Sequence, residues 1–364
     1  MTWDHPRGYD PFAAASRVWA EMGGETIEWD RRSLQDFESY PVEELARRYD
    51  LIVIDHPHVG QVADAGCLAA LEELCDTVAL SEIAAGSVGG SFESYNWSGH
   101  QWALPIDAAA QVQAWAPGRI DAPLHDWNSV IALAKQGRLT IPLRPPHSLM
   151  SLFTLSGLAG VMLPVEGDEL FPEATHSAYD CLAELAAAVD PAAYEQDPIA
   201  VLEAMAQPDS KLAVSPLIYG YVSYSLNDFR PQRISFADLP AQDPRGSALG
   251  GTGIAVSAFG EAPERAAKFA AWVASGAVQR SLYALSGGQP AHADAWEDNI
   301  VNALVADFYI ATRKTLDSAW LRPRHDGYMA FQHAASERLN RALRSGETAA
   351  SALAALNTLF RGSR

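Results

Sequence analysis

At 364 residues with 48% apolar content, the chain is long for one hydrophobic core and ample for two domains. Its 45 acidic against 26 basic residues give a formal charge of −19, a surface sign that repels phosphate backbones and anionic headgroups. Nucleic acid and membrane surfaces are therefore excluded as expected partners, and a dispersed monomer is expected. The three cysteines, Cys67, Cys75 and Cys181, lack the paired spacing of a metal knuckle and read as buried thiols.

Helical and strand text alternate from the start. No secretory leader is legible, because Met1-Thr2 runs directly into Trp3-Asp4-His5, and no apolar stretch is long enough to span a bilayer. Residues 9–22 read as a helix stopped by Gly23-Gly24, residues 26–29 as a short strand, and residues 41–48 as a helix that Ser33 and Asp36 would help to open. Residues 51–54 form a continuous apolar strand and residues 68–74 a further helix, so the pattern implies a parallel sheet with right-handed crossovers. Residues 99–107 read as a turn, a strand and a polar end, followed by an alternating strand over 111–115. Beyond lie strands near 140–143, 212–218, 233–236 and 254–258, and helices near 176–188 and 198–206. The remainder is helical, over 262–274, 276–285, 299–313, 328–345 and 347–359. No fixed-period repeat is present.

Three early segments stop in the same way. Trp3-Asp4-His5-Pro6-Arg7, Ile27-Glu28-Trp29-Asp30-Arg31-Arg32 and Ile54-Asp55-His56-Pro57-His58 each pass from apolar text to a cluster of acid, imidazole and guanidinium. If the apolar runs are neighbouring parallel strands, the clusters emerge on one rim of the sheet, where open α/β sheets bind small molecules.

Several motifs resemble the extracellular solute-binding proteins of ABC importers, nearest to the sugar-binding, maltose-binding-like branch. They are Tyr49-Asp50-Leu51-Ile52-Val53-Ile54-Asp55, the run from Gly99 to Asp107, Gly250-Gly251-Thr252-Gly253-Ile254-Ala255-Val256-Ser257, the helix from Glu261 to Ser275 with Gln279, and Ser286-Gly287-Gly288-Gln289-Pro290. Their order along the chain carries the likeness. It implies a type II periplasmic-binding-protein-like α/β fold: two α/β lobes joined by hinge strands, with a ligand cleft between them. Lobe 1 would take residues 1–109 and 254–312, and lobe 2 residues 110–253 and 313–364. The resemblance further implies a small-molecule ligand, the membrane subunits of an importer as partner, an extracytoplasmic location, no catalysis and no cofactor; the spacing of the residues themselves gives no expectation of a metal. With no leader legible, a cytoplasmic location is the alternative.

Candidate ligand residues follow from these placements. Arg7 offers a forked donor to a carboxylate or phosphate and Asp4 an acceptor for hydroxyls, unless Asp4 caps the following helix. Of Arg31 and Arg32, which stand side by side, at most one faces inward, and either is as readily a solvated arginine. In extended backbone His56 and His58 share a side with Asp55 opposite, and with His5 they suit ligand hydrogen bonding, structural capping, proton transfer or zinc; no helical His-x-x-x-His completes a metal signature. Asp107 is a ligand residue by the resemblance. Arg144 and His147 follow a strand, and Tyr219, Tyr221 and Tyr224 supply aromatic faces or ordinary core. Thr252 offers a hydroxyl beside Gly251, Gln289 a polar lid contact, and Trp320-Leu321-Arg322-Pro323-Arg324-His325 brings Arg322 or Arg324 to the site.

Two functions compete on this reading. One is capture of a small polar solute, a sugar, polyol or organic anion, by two-lobe closure. The other is a cytoplasmic enzyme on the same scaffold, a dehydratase, decarboxylase or isomerase of a carboxylate, with His5, His56 or His58 as base beside Asp55 and Arg7 on the anion. A ligand sensor docking on another protein is a third, for which no motif speaks.

Overall fold

A computed structural model describes residues 1–33 and 41–364, so Asp36 lies outside the described residues. The chain forms two compact units, residues 1–109, 250–304 and 324–326, and residues 110–249, 305–323 and 327–364. The return to the first unit at Gly250 and the exit after Leu304 precede the expected boundaries at 254 and 312. Two local causes account for this. Gly250 and Gly251 lie inside a strand rather than in a turn before it, and the helix expected over 299–313 breaks at Ala306 and Asp307, both with positive φ.

The chain opens in the first unit with β1 (Thr2–Trp3), α1 (Pro6–Glu21) and β2 (Arg31–Arg32). Pro6 starts α1 with its φ already helical, and Gly23 at φ +92° stops the chain just beyond it. Gly8 has no substitute, because a Cβ there would fall 2.3 Å from the Trp3 ring. Next come α2 (Val42–Ala46), β3 (Leu51–Asp55), a 3-10 turn over His56–His58, α3 (Val59–Ala65) and α4 (Thr77–Gly86). The expected helix over 68–74 is instead a bridge from Leu68 to Ser257 and a 3-10 turn at Leu71–Glu73. A small hairpin pairs β4 (Asn96–Trp97) with β5 (His100–Gln101). The strand β6 (Leu104–Trp115) is continuous where two shorter strands were expected, and carries the chain into the second unit.

The second unit contains α5 (Trp127–Lys135), α6 (His147–Leu158), α7 (His176–Ala188), α8 (Pro198–Met205), β7 (Val214–Tyr219) and β8 (Ser235–Ala237). The strand expected near 140 is reduced to a bridge from Leu139 to Val214. Strand β9 (Leu249–Val256) returns to the first unit, where α9 (Pro263–Ala274) follows. The second unit closes with α10 (Phe308–Asp317), α11 (Tyr328–Ser345) and α12 (Ala349–Arg361).

Pairing is mixed rather than all parallel. β1 and β2 are parallel, but β9 runs antiparallel to β3, and β7 and β8 run antiparallel to β6. Each unit has its own core. Phe12, Ile52, Val53, Ile254 and Phe269 anchor the first; Leu152, Phe153, Tyr179, Leu339 and Phe360 anchor the second. Ile52, Val53 and Ile54 are buried on both faces of β3, each stabilising by roughly 1.5–3 kcal/mol. Cys67 is fully buried, and burial pushes all three thiols up to about 11. Among the described residues, no helix is long and apolar enough to cross a membrane.

Candidate functional site

The first unit assembles the three polar clusters along one edge. Thr2 and Trp3 pair in parallel with Arg31 and Arg32, while the Met1 amine donates to the Leu51 carbonyl at 2.9 Å and Val53 N–H donates to the Met1 carbonyl at 3.1 Å. The first run thus lies between the second and the third.

What the side chains do there differs from residue to residue. His5 caps α1, its Nδ1 accepting the Arg7 N–H at 3.1 Å. Arg7 turns inward, and its Nε and Nη2 donate to the two Asp107 oxygens at 2.7 and 2.5 Å. Both groups are buried; burial pushes the Asp107 carboxyl up and the guanidinium of Arg7 opposes that. Arg7 and Asp107, both expected among the ligand contacts, form an internal ion pair joining α1 to β6. Asp4 and Arg31 stay exposed, 3.1 Å apart, with the Arg31 guanidinium 4.6 Å over the Tyr9 ring.

His56 and His58 lie in a 3-10 turn, so the shared side expected of extended backbone does not hold; Pro57 near the start fixes helical φ. His56 is fully buried, with Nδ1 3.3 Å from Asp55 Oδ1 and its ring edge-on to Tyr95. The Tyr95 hydroxyl donates toward the carbonyls of Ile54 and Gly251 at 3.3 and 3.4 Å. Asp55 is paired in register with Thr252, whose buried hydroxyl finds no partner among the described residues. Gly251 is required beside it: at φ +99°, an added Cβ would lie 2.3 Å from the Asp107 carbonyl oxygen.

Two more expected contacts are occupied by the protein itself. Gln289 is buried and clamps β6, donating from Nε2 to the Ala108 carbonyl at 2.8 Å and accepting the Ala108 N–H at 3.2 Å. Arg324 donates from Nη1 to the carbonyls of Glu93, Ser94 and Asn96 at 2.8, 2.9 and 3.0 Å, and lies over the Trp97 ring. It closes the end of the 3-10 turn over Glu93–Tyr95. Among the described residues, no three His, Cys, Asp or Glu side chains come together as a metal would need.

The second unit gathers another cluster at the start of α6. His147 is the first helical residue, 5% exposed, with the Tyr219 ring 6.3 Å away. Burial, with smaller contributions from Arg144 and Arg322, depresses its imidazole to about 4, while Asp197 acts in the opposite sense. His147 is therefore neutral near neutral pH. Its Nδ1 has no hydrogen-bond partner among the described residues, and neither has the fully buried Ser148 hydroxyl. Arg322 is buried and donates to the Gln332 amide oxygen at 2.9 Å; Arg144 is half-exposed, 3.8 Å from Asp197. Tyr224 is structural, donating at 2.7 Å to Glu203, which Arg230 also grips.

Two cavities lie elsewhere. One of about 580 Å³ is lined in the first unit by Trp19, Trp29, Tyr49, Arg48 and Arg265, at the start of the strands rather than at their polar ends. The other, about 430 Å³ in the second unit, is lined by Phe153, Met162, Arg245 and Trp320.

Residues 43–307, well over half the chain, match the family model of the bacterial extracellular solute-binding proteins. The chain belongs to that family. No curated protein matches it significantly. Solved structures match this solute-binding protein along nearly its whole length. An ABC transporter solute-binding protein from Thermotoga lettingae TMO bound with α-D-tagatose has a TM-score of 0.82 at 18% identity, covering 98% of this chain and 96% of that one. Maltose-bound MalE3 of T. maritima has 0.80 at 14% identity, covering 96% and 95%. UgpB from Mycobacterium tuberculosis, in complex with glycerophosphocholine, has 0.77 at 13% identity, covering 97% and 94%. The fold is that of the type II periplasmic binding proteins.

For this solute-binding protein, Ser148, Asp197 and Gln332 were not singled out from sequence. Asp197 carries a legible signal, since it caps α8 ahead of Pro198 and an apolar run, its carboxylate accepting the Ala200 N–H at 2.8 Å. Ser148 has no local signal, because its burial without a hydrogen-bond partner among the described residues comes from packing.

Proposed function

We propose that this solute-binding protein captures one small polar solute, a sugar, a polyol or an organic anion, outside the cytoplasm and presents it to the membrane subunits of an ABC importer. The family match over residues 43–307 carries the reading. Structures of the same fold hold α-D-tagatose, maltose and glycerophosphocholine, so one scaffold accommodates neutral and charged solutes. The candidate contacts are Asp4, Arg31, Asp55, His56, His58 and Thr252 in the first unit, and Tyr219 and Arg322, joined by Arg144, His147 and Ser148, in the second. Arg7, Asp107, Gln289 and Arg324 hold the backbone on which the first set stands.

The rival enzyme reading finds no support in the family. Its proposed base His5 is engaged as a helix cap, and the anion-holding Arg7 is already forked onto Asp107.

A thermal-shift screen with sugars, polyols and small carboxylates and phosphates tests the proposal. A hundredfold excess of the right solute over Kd should add about 2.7 kcal/mol of stability. The solute should be recovered unchanged after long incubation, and small-angle scattering should show a smaller radius of gyration in its presence, as two-lobe closure requires. A solute consumed on incubation would overturn transport in favour of catalysis.

A further inference from the structure

We propose that solute capture pivots on two short strand segments, Ala109–Ala110 in β6 and Gly250 in β9, and that two buried glutamines, Gln289 and Gln111, are the positioning residues that confine the pivot there. The inference rests on the two-lobe closure of the solute-capture reading and deepens it.

β6 and β9 are strands that pass from one unit to the other, β6 between Ala109 and Ala110 and β9 between Leu249 and Gly250. The other passages, after Leu304 and around Arg324–Asp326, run through turns and irregular backbone. What grips the two strands on each side therefore decides where they can bend. In the first unit β6 is gripped at Asp107 and Ala108. Arg7 forks the Asp107 carboxylate at 2.7 and 2.5 Å. Both backbone polar groups of Ala108 are bound to Gln289: the Ala108 N–H donates to the Gln289 carbonyl at 3.2 Å, and the Ala108 carbonyl accepts from Gln289 Nε2 at 2.8 Å. Gln289 is 1% exposed, so water does not compete for these bonds. In β9, Gly251 presses on the same two residues, where an added Cβ would lie 2.3 Å from the Asp107 carbonyl oxygen and 2.9 Å from Ala108 Cα.

In the second unit the grip resumes at Gln111, which is fully buried. Its Nε2 donates to Ser151 Oγ at 3.2 Å and its Oε1 accepts from Thr154 Oγ1 at 2.7 Å, two hydroxyls one turn apart on α6. The Gln111 carbonyl accepts from Ser247 Oγ at 2.7 Å. The same Thr154 hydroxyl accepts the Ala248 N–H at 3.1 Å, and Leu249 N–H donates to the Trp320 carbonyl at 2.9 Å. Every one of these contacts lies within one unit. Between the grips lie Ala109 and Ala110 in one strand and Gly250 in the other. None carries a side chain beyond Cβ that a rotation would have to move, and glycine has the widest range of φ and ψ. Hinges absorb large φ and ψ changes in a few residues of this kind. Releasing a clamp lengthens the segment free to bend and lets the rotation spread along the strand.

Pulsed electron paramagnetic resonance on the solute-free chain tests the inference. Nitroxides go on Ala20→Cys in the first unit and Ala354→Cys in the second, both exposed helix positions. The native thiols are buried or half-buried and label far more slowly. Gln289→Met removes the donor to Ala108, and Gln111→Met removes both side-chain bonds to α6, each at nearly unchanged length and volume. Either substitution should broaden the distribution of distances between the labels and lower the melting temperature. Ser257→Ala is the control, because it deletes buried bonds to the Ala46 carbonyl and the Phe259 N–H just past the far end of β9. It should lower the melting temperature and leave the distribution as narrow as in wild type. A wild-type width in either glutamine variant, or equal broadening in Ser257→Ala, would overturn the confined pivot and leave solute capture standing. No solute enters this measurement, so a solute found to be consumed on incubation would overturn capture without altering the distances read.

Discussion

Arg7 in the first unit and Arg322 in the second are both buried guanidiniums, and their surroundings treat them differently. Arg7 meets a carboxylate that matches it in charge and in fork geometry, leaving both Asp107 oxygens occupied. Arg322 meets a neutral amide, beside an imidazole and a hydroxyl that have no hydrogen-bond partner among the described residues. A polar cluster that satisfies itself is architecture, whatever its composition promises. One that is assembled, buried and left incomplete is where a solute has something to add. Residue type is alike at the two places; the difference lies in the bonds each guanidinium makes, a fork onto a carboxylate for Arg7 and a bond to a neutral amide for Arg322.

The sharpest way to break this comparison is at Asp107. Asp107→Ala leaves the Arg7 guanidinium buried without its acid, which should cost about 3–5 kcal/mol. Urea unfolding followed by tryptophan fluorescence reads this directly. Unchanged stability with lost solute affinity would show instead that Asp107 is a ligand contact, as its sequence neighbourhood suggested.

His147 gives the next largest effect, through pH. Its folded value of about 4 lies below the ordinary value near 6.5, because burial disfavours the imidazolium. Between those values the unfolded chain takes up a proton that the folded chain does not. Stability therefore rises with pH from about 4 to 6.5 and is full above that window, a contribution on the order of 3 kcal/mol. Urea midpoints at pH 4.5 and 7 should separate more in wild type than in His147→Gln. Equal separation in both would mean that the imidazole titrates as it does in the open chain.

The sequence carried local structure well and long-range pairing poorly. The helix expected over 176–188 is His176–Ala188, and that over 328–345 is Tyr328–Ser345, because periodic apolar text bounded by turn residues is a local signal. Strand direction is not local. β9 runs antiparallel to β3 because it returns from another part of the chain, and nothing within residues 249–256 records that. The rim of acids and histidines was legible as a place, since each cluster follows an apolar run. The roles within it were not. Arg7 and Asp107 are 100 positions apart, and only folding shows that they answer each other. Pro57 did signal the turn at His56–His58, and gave more guidance than the assumption of extended backbone.

Arg324 sharpens the comparison at a smaller scale. It sits between the two cases, a guanidinium answered by three backbone carbonyls rather than by a carboxylate. Arg324→Ala should cost about 2 kcal/mol, since charge-assisted bonds to partly buried carbonyls are lost while water reaches some of them. Solute affinity should change far less than stability. The reverse pattern, affinity lost at constant melting temperature, would return Arg324 to the ligand contacts.

The smallest effect belongs to Arg31, and it marks the lower limit of the comparison. Its ion pair with Asp4 spans 3.1 Å, but both side chains are more than half exposed, so water and salt screen most of the attraction. Arg31→Ala should lower stability by less than about 0.5 kcal/mol. Because neither group is consumed by burial, each can exchange its partner for a solute at little cost, which Arg7 and Asp107 cannot. If Arg31 contributes to capture, the substitution should change solute affinity more than stability, and the affinity change should shrink as ionic strength rises. An affinity unaffected at low salt would assign the pair to the solvated surface and leave Asp55, Thr252 and the adjacent histidines as the first unit's remaining candidates.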